Sequence, residues 1–322
     1  MASLNTKYLG LDLQSPLIVS SSTLTGKVEA IKKLADYGAG AVVLKSLFEE
    51  DIRGTGDIAV TEEIQPGTDL WMQNVGMEKK PASYLAFIGE VKKQVNIPII
   101  ASINCHSLED WGDYVRHMKE AGASAVEINL APMADHVDLR SQDLEKQAVK
   151  LISKLNKELD LPLAVKIGSN YSSLPHFTAE LGKAGADGLV LFNRFWQPDI
   201  DINKMTFSTG IPFSTESELA ETLRWTGLLS SMIKTDISAS RGVHGPEDVI
   251  KLLLAGATTV QVCSVLYKNG IDYFKELVDG LDSWMDKKGF ASIDDFKGKV
   301  KTSVQQRRSF YEQLQYTNPK GN

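Results

Sequence analysis

Apolar positions along this chain fall into short runs. One phrase returns four times: "YGAGAVVLKS" at 37–46, "AGASAVEINL" at 121–130, "AGADGLVLFN" at 184–193 and "AGATTVQVCS" at 255–264. In each, a glycine–alanine turn precedes a short apolar run rich in β-branched residues. The run is too short for a helix and apolar at both parities, as in a parallel strand buried on both faces. The glycine suits the residue after a helix, because it enters the left-handed region without steric cost. The repeating unit is helix, tight turn, parallel strand.

Four more runs read the same way: "SPLIVSSS" (15–22), "IPIIASIN" (97–104), "LPLAVKIG" (161–168) and "KTDISAS" (234–240). Three of them start at X-Pro, and a strand tolerates proline at its first residue. Helical patterns lie between the runs, at 28–37, 81–95, 108–121, 141–159, 174–184, 216–231, 246–255 and 271–287. Eight strands alternating with eight helices imply right-handed parallel crossovers, and eight units favour a closed (β/α)8 TIM barrel over an open sheet. Residues 1–322 then form one domain, with 1–14 as an N-terminal hairpin plugging the floor and 289–322 as a C-terminal extension. Long loops follow strand two (47–80) and strand six (194–215), on the side where barrels carry their active sites.

Composition narrows the function classes. Hydrophobic residues make up 43% and charged residues 24%, with a net charge of −6 and no strongly basic segment, which argues against a nucleic-acid partner. The two cysteines, Cys105 and Cys263, have neither disulfide-framework nor metal-site spacing, so no metal is expected and a reducing cytoplasm is. The opening "MASLNTKYLGLDLQSP" lacks the basic and apolar regions of a secretory signal. No apolar run approaches the roughly 20 residues of a membrane helix, so no membrane association is expected.

In a barrel, chemistry sits at the C-terminal strand ends. Read in order, these ends carry Ser20, Ser21 and Ser22; Lys45 and Ser46; Ser102, Asn104 and Cys105; Glu127 and Asn129; Lys166 and Ser169; Asn193 and Arg194; Ser240, Arg241 and Gly242; and Cys263 and Ser264. Two lysines and two strand-ending amides, Asn129 and Asn193, terminate apolar runs, and such groups need partners when buried. The lysines suit an anionic ligand or an electron-rich ring, a salt bridge across the barrel, or a Schiff base. The amides suit the carbonyl and N–H edges of a planar substrate. Gly242, Cys263 and Ser264 are placed where barrels often bind phosphate, or else form two ordinary turns.

At these residues the chain resembles the flavin-dependent dihydroorotate dehydrogenase family, closest to its divergent dihydroorotate dehydrogenase-like branch. The resemblance runs through "SPLIVSSS", "VVLKS", "EINL", "AVKI", "ADGLVLFNRFWQPDID", "RGVHGPEDVIKLLLAGATTVQVCSVLYKNG" and "GFASIDDFKGKV". It implies an FMN-dependent oxidoreductase converting dihydroorotate to orotate in pyrimidine biosynthesis. By resemblance, Ser20, Ser21, Lys45, Ser46, Asn104, Asn129 and Lys166 belong to the FMN site, with Arg241, Gly242, Cys263 and Ser264 at its phosphate. Lys45, Asn129 and Asn193, with Gln73 and Asn74 of "WMQNVGM", would hold the substrate. A soluble electron acceptor and a homodimer are also implied.

The family's base, a cysteine or serine just after the Asn–Leu of strand four, has no counterpart in Ala131–Pro132–Met133–Ala134–Asp135–His136. His136 and Asp135 can accept a proton there, though a loop histidine is ordinarily just solvated. Lys45 and His136 are the catalytic candidates. Cys105 follows strand three instead. Arg241 stands where the family has a glycine, either contacting the phosphate or closing its cradle. Two other readings remain: an FMN enzyme of this fold acting on another small planar substrate, and a flavin-free lyase or phosphate-ligand-binding barrel.

Overall fold

The computed structural model describes residues 2–48, 81–104, 111–132, 134–195, 197–208, 210 and 213–300. The chain opens with an antiparallel hairpin, β1 (Thr6–Tyr8) and β2 (Leu11–Leu13). It then enters β3 (Leu17–Val19), α1 (Val28–Asp36), β4 (Ala41–Val43) and the two-residue β5 (Leu47–Phe48). Next come α2 (Pro81–Gln94), β6 (Ile99–Asn104), α3 (Trp111–Ala121), β7 (Ala125–Asn129), α4 (Ser141–Glu158), β8 (Leu163–Ile167), α5 (Leu174–Lys183) and β9 (Gly188–Leu191). After a second hairpin, β10 (Asp199–Asp201) and β11 (Thr206–Ser208), follow α6 (Leu219–Leu229), β12 (Asp236–Ser240), α7 (Pro246–Ala255) and β13 (Thr259–Val262). The last helices are α8 (Ser264–Asn269) and α9 (Tyr273–Lys288).

The main strands pair in parallel in the order β4, β3, β13, β12, β9, β8, β7, β6, and β4 pairs with β6 to close the ring. The fold is the eight-stranded (β/α)8 barrel that the alternation predicts. Each repeated glycine takes the left-handed conformation between helix and strand; Gly256, at φ 108°, caps α7 in this way. Two features are absent from the hydrophobic pattern. α8 is too short to show a helical period, and β10–β11 folds inside the loop after β9.

Alternation along each strand divides the core in two. The larger cluster joins the outer face of the barrel to the helices. A smaller one lies inside, where Tyr8, Leu9 and Leu13 of the hairpin meet Ile18, Ala41, Val43, Ile100, Ala125, Ala164 and Val190. Small residues there make room for the plug: a Cβ on Gly188 would lie 2.5 Å from Leu9 Cδ2. The Leu9 N–H donates to Asp236 Oδ2 at 3.1 Å, tying the plug to β12. Two residues further along the same inward faces stand Ser20, Ser102, Glu127 and Lys166, so the interior turns from apolar to polar toward the strand C-termini. On the arm β10–β11, Ile200 pairs with Phe207, and both are exposed with Ile202 and Met205.

The barrel floor generates the first test. A Cβ on Gly40 would lie 1.9 Å from the Ser15 carbonyl oxygen, and the Gly40 N–H donates to Leu17 O at 2.8 Å. Backbone meets backbone here, so no rotamer can relieve the clash. Gly40→Ala should lower unfolding free energy in urea melts by about 1–3 kcal/mol. Gly245→Ala, whose Cβ meets nothing within 4 Å, should cost much less.

Candidate active site

Strand register assembles the mouth. Asn104 is paired with Asn129, and Asn129 with Lys166, so three inward-facing polar residues stand in one row across β6, β7 and β8. One layer deeper, Ser102 lies opposite Glu127. Lys166 Nζ reaches over the barrel to donate to Ser20 Oγ at 3.1 Å. The same ammonium is 3.8 Å from Glu127 Oε1, and Gln261 Nε2 of β13 donates to Glu127 Oε2 at 2.8 Å. Glu127 is 0%, Gln261 1% and Lys166 6% exposed. Charges this deep are tolerated only when paired, which explains why the four residues occur together. An ammonium has three donors, so Lys166 keeps capacity for an acceptor at the mouth.

The amides are drawn together as well. Asn193 Nδ2 donates to Asn129 Oδ1 at 3.2 Å, and the Arg194 N–H donates to Asn193 Oδ1 at 2.9 Å. Asn104 Oδ1 is buried with no hydrogen-bond partner among the described residues, a costly state unless a ligand N–H meets it. A hydroxyl chain completes this side: Ser21 Oγ is 3.1 Å from Ser46 Oγ, which is 2.8 Å from Ser102 Oγ. The Ser102 N–H in turn donates to the Tyr84 hydroxyl of α2 at 3.0 Å. Lys45 follows β4, its stem beside Gly26, where an added Cβ would lie 3.5 Å from Lys45 Cδ.

Across the mouth, Gly242 takes φ 78°, and a Cβ on it would lie 2.2 Å from the backbone nitrogen of Leu219 at the start of α6. Arg241 before it also has a glycine-like φ of 90°. Its side chain is committed to carboxylates: Nε donates to Glu218 Oε2 at 2.5 Å and Nη1 to Glu221 Oε2 at 3.1 Å. Arg194 Nε reaches both Glu218 oxygens at 3.3 Å. Burial alone would raise the Glu218 carboxyl. The Arg241 hydrogen bond, the Thr215 N–H and the charges of both arginines outweigh that and hold it below its ordinary 4.5. Ser264 Oγ accepts the Ser214 N–H at 3.0 Å, and Lys268 Nζ donates to Ser214 O at 2.9 Å. Phe213 stacks on Tyr267 at 5.1 Å, which holds this segment over α8. Cys263 is partly buried; burial pushes its thiol up, against the opposing pull of the Lys166 ammonium and the nearby Ser22 hydroxyl.

Not every predicted residue joins this cluster. His136 is exposed, its Nδ1 3.5 Å from Asp138 Oδ2. Gln73, Asn74 and Cys105 lie outside the described residues. Two residues of the site, Gln261 and Phe195, escape a sequence reading, as does the part played by Glu127, which the sequence shows only as a strand-end residue. Glu127 and Gln261 sit inside apolar runs; for Glu127 the signal is parity, because it shares its face with Asn129 two residues on. Phe195 covers the end of β8: a Cβ on Gly168 would lie 2.5 Å from its ring.

Two measurements follow. Glu218→Gln should cost about 1–3 kcal/mol of stability at neutral pH by leaving two guanidiniums underpaired. The folded carboxyl is depressed, so its stabilisation is full above the ordinary value and fades as pH falls through the folded one. The gap between wild type and variant in urea melts should therefore narrow as pH falls from the ordinary 4.5 through the depressed folded value. For Cys263, peptide mapping after iodoacetamide treatment near pH 7 should show slow alkylation that accelerates only at alkaline pH, since the thiolate is the nucleophile.

Comparisons with known proteins identify the family. Residues 3–285 match the family model described as Dihydroorotate dehydrogenase. Among curated relatives, the catalytic subunit of dihydroorotate dehydrogenase B (NAD(+)) of Thermoplasma acidophilum is 26% identical over 304 residues, covering 92% of this chain and 99% of the relative. The protein of the same name from Pyrococcus horikoshii is 25% identical, covering 92% and 97%. That of Bacillus cytotoxicus is 24% identical, covering 96% and 100%. With a family model matched over most of its length and a barrel whose mouth gathers Asn104, Asn129, Lys166 and Asn193, the chain belongs to the dihydroorotate dehydrogenase family.

Proposed function

We propose that the protein is an FMN-dependent oxidoreductase acting on a CH–CH bond, with dihydroorotate as substrate and orotate as product. The observation that carries this reading is the row of inward polar residues at the mouth, Asn104, Asn129 and Lys166, joined by Asn193. The residues present fit the cofactor. Lys166 keeps donor capacity, the buried Asn104 Oδ1 has no partner among the described residues, and the Gly242 turn has no room for a side chain. Bound FMN would supply the hydride acceptor.

The chain's own residues would do the rest. The Lys166 ammonium would stabilise negative charge on the flavin ring, and preorganised charge in a dry site is an effective way to do so. Ser20 and Ser21 would line the ring, beside Ser46 and Lys45. Gly242, Cys263 and Ser264 would hold the phosphate. Arg241, bound to Glu218 and Glu221, would brace that turn from behind rather than touch the phosphate. Asn129 and Asn193 would orient the substrate through its amide edges, fixed relative to one another by their shared hydrogen bond. Lys45 and His136 are the side chains assigned to move the substrate proton, and Lys45 is the one held at a strand end.

We also assign the chain to the cytoplasm, as a homodimer with a soluble electron acceptor. Among the described residues no helix is long and apolar enough to cross a membrane. The exposed apolar arm β10–β11 supports the dimer. A second reading, the same cofactor with another small planar substrate, is favoured by one observation: no thiol or hydroxyl exists at 131–136.

An anaerobic visible spectrum of the purified full-length chain, before and after dihydroorotate, tests both. An oxidised flavin spectrum that bleaches is the expected result. A flavin spectrum that persists overturns dihydroorotate as substrate and leaves the second reading. No flavin, with none taken up from added FMN, overturns the oxidoreductase reading.

A further inference from the structure

We propose that Glu127 is a positioning residue that acts on the flavin through Lys166, tempering the ammonium's charge and holding it at the mouth. This rests on the FMN reading above.

Four observations carry it. Glu127 is fully buried on the barrel axis, where an apolar side chain of its size would fill the space without a desolvation cost. It lies on the same strand and face as Asn129, two residues deeper, directly behind the row that would meet the ring. Its two oxygens are treated unequally. Oε2 accepts from Gln261 Nε2 at 2.8 Å, whereas Oε1 has no hydrogen-bond partner among the described residues and stands 3.8 Å from Lys166 Nζ. Finally, the Lys166 hydrogen bond goes to Ser20 instead, on the opposite side of the barrel.

That asymmetry has a physical meaning. At 3.8 Å the carboxylate acts on the ammonium by charge but does not bind it. If the pair closed, the ammonium would be drawn into the barrel and its charge cancelled. Gln261 prevents this by holding the carboxylate back from β13. The outcome is a cation that is partly neutralised yet directed outward. A cation beside the ring favours the reduced, anionic flavin, so its residual strength sets how readily the ring takes electrons. Glu127 and Gln261 would tune that strength without touching the cofactor.

The test reads the flavin equilibrium rather than turnover. Flavin-loaded wild type, Glu127→Gln and Gln261→Leu would each be equilibrated anaerobically with a reference dye, and the reduced-to-oxidised ratio read by absorbance. Glu127→Gln removes the charge but keeps the shape, so the ratio should rise about tenfold, equivalent to ~30 mV for a two-electron couple. Gln261→Leu frees the carboxylate to close on Lys166, so the ratio should fall. Both shifts should vanish when the same changes are made in a Lys166→Met background. Should Glu127→Gln fail to fold, Gln261→Leu carries the test alone. Unchanged ratios, shifts of the opposite sign, or shifts that persist without Lys166 would overturn the proposal with the FMN reading intact. A wild-type protein that binds no flavin overturns the FMN reading itself, and this proposal with it, before any variant is made.

Discussion

A carboxylate sealed inside an apolar barrel has to be met by compensating groups, and much of the mouth follows from that requirement. Glu127 takes a hydrogen bond from Gln261 on β13 and the charge of Lys166 on β8, and Lys166 passes its own hydrogen bond to Ser20 beyond β3. One buried charge therefore links β7 to the next strand, β8, and to two strands distant in sequence. A slip of one residue in any of these strands would turn its polar member into the helix layer and leave Glu127 exposed to an uncompensated desolvation cost. The charged cluster thus specifies register as well as chemistry, while the hairpin residues Tyr8, Leu9 and Leu13 fill the apolar half beneath it.

Above this layer, rigidity comes from hydrogen bonds between loops. Asn193 is fixed on one side by Asn129 and on the other by the Arg194 N–H. The 213–215 segment is held by Ser264 and Lys268, with Phe213 stacked on Tyr267. Loops that bind ligands are ordinarily the more mobile parts of a barrel enzyme. Here the described parts of two of them are anchored to strand ends and to α8, which keeps the amides within a narrow range of positions before any ligand arrives.

Most of the fold was legible in the sequence, for a simple physical reason. Strands buried on both faces are apolar at both parities, and four of the eight are preceded by a glycine that a tight helix–strand turn explains. What escaped lacks that signature. In β10–β11, polar Asp199, Asp201, Thr206 and Ser208 alternate with apolar Ile200 and Phe207 over only three residues each, too little to separate from a loop. The site divides in the same way. Lys166, Asn129 and Asn193 stand out because each ends an apolar run. Glu127 and Gln261 interrupt such runs and are 134 positions apart, and no local pattern relates them. Arg241 was legible as a departure from a glycine pattern. Its two carboxylate partners were not, because α6 starts later than the helical periodicity suggests and Glu218 lies in the turn before it.

The arginine at φ 90° has a consequence for how this sequence can change. A side chain in the left-handed region costs about 1–2 kcal/mol relative to glycine. At Arg241 that cost is opposed by two carboxylates, and one of them, Glu218, also serves Arg194. The three positions are therefore not independent. Losing Glu218 leaves both arginines with less to hold them, and restoring glycine at 241 leaves Glu218 with one cation instead of two. Descendants of this chain should exchange Arg194, Glu218 and Arg241 as a set. Replacing Glu218 alone would leave both guanidiniums underpaired, so its loss is costly unless the arginines change with it.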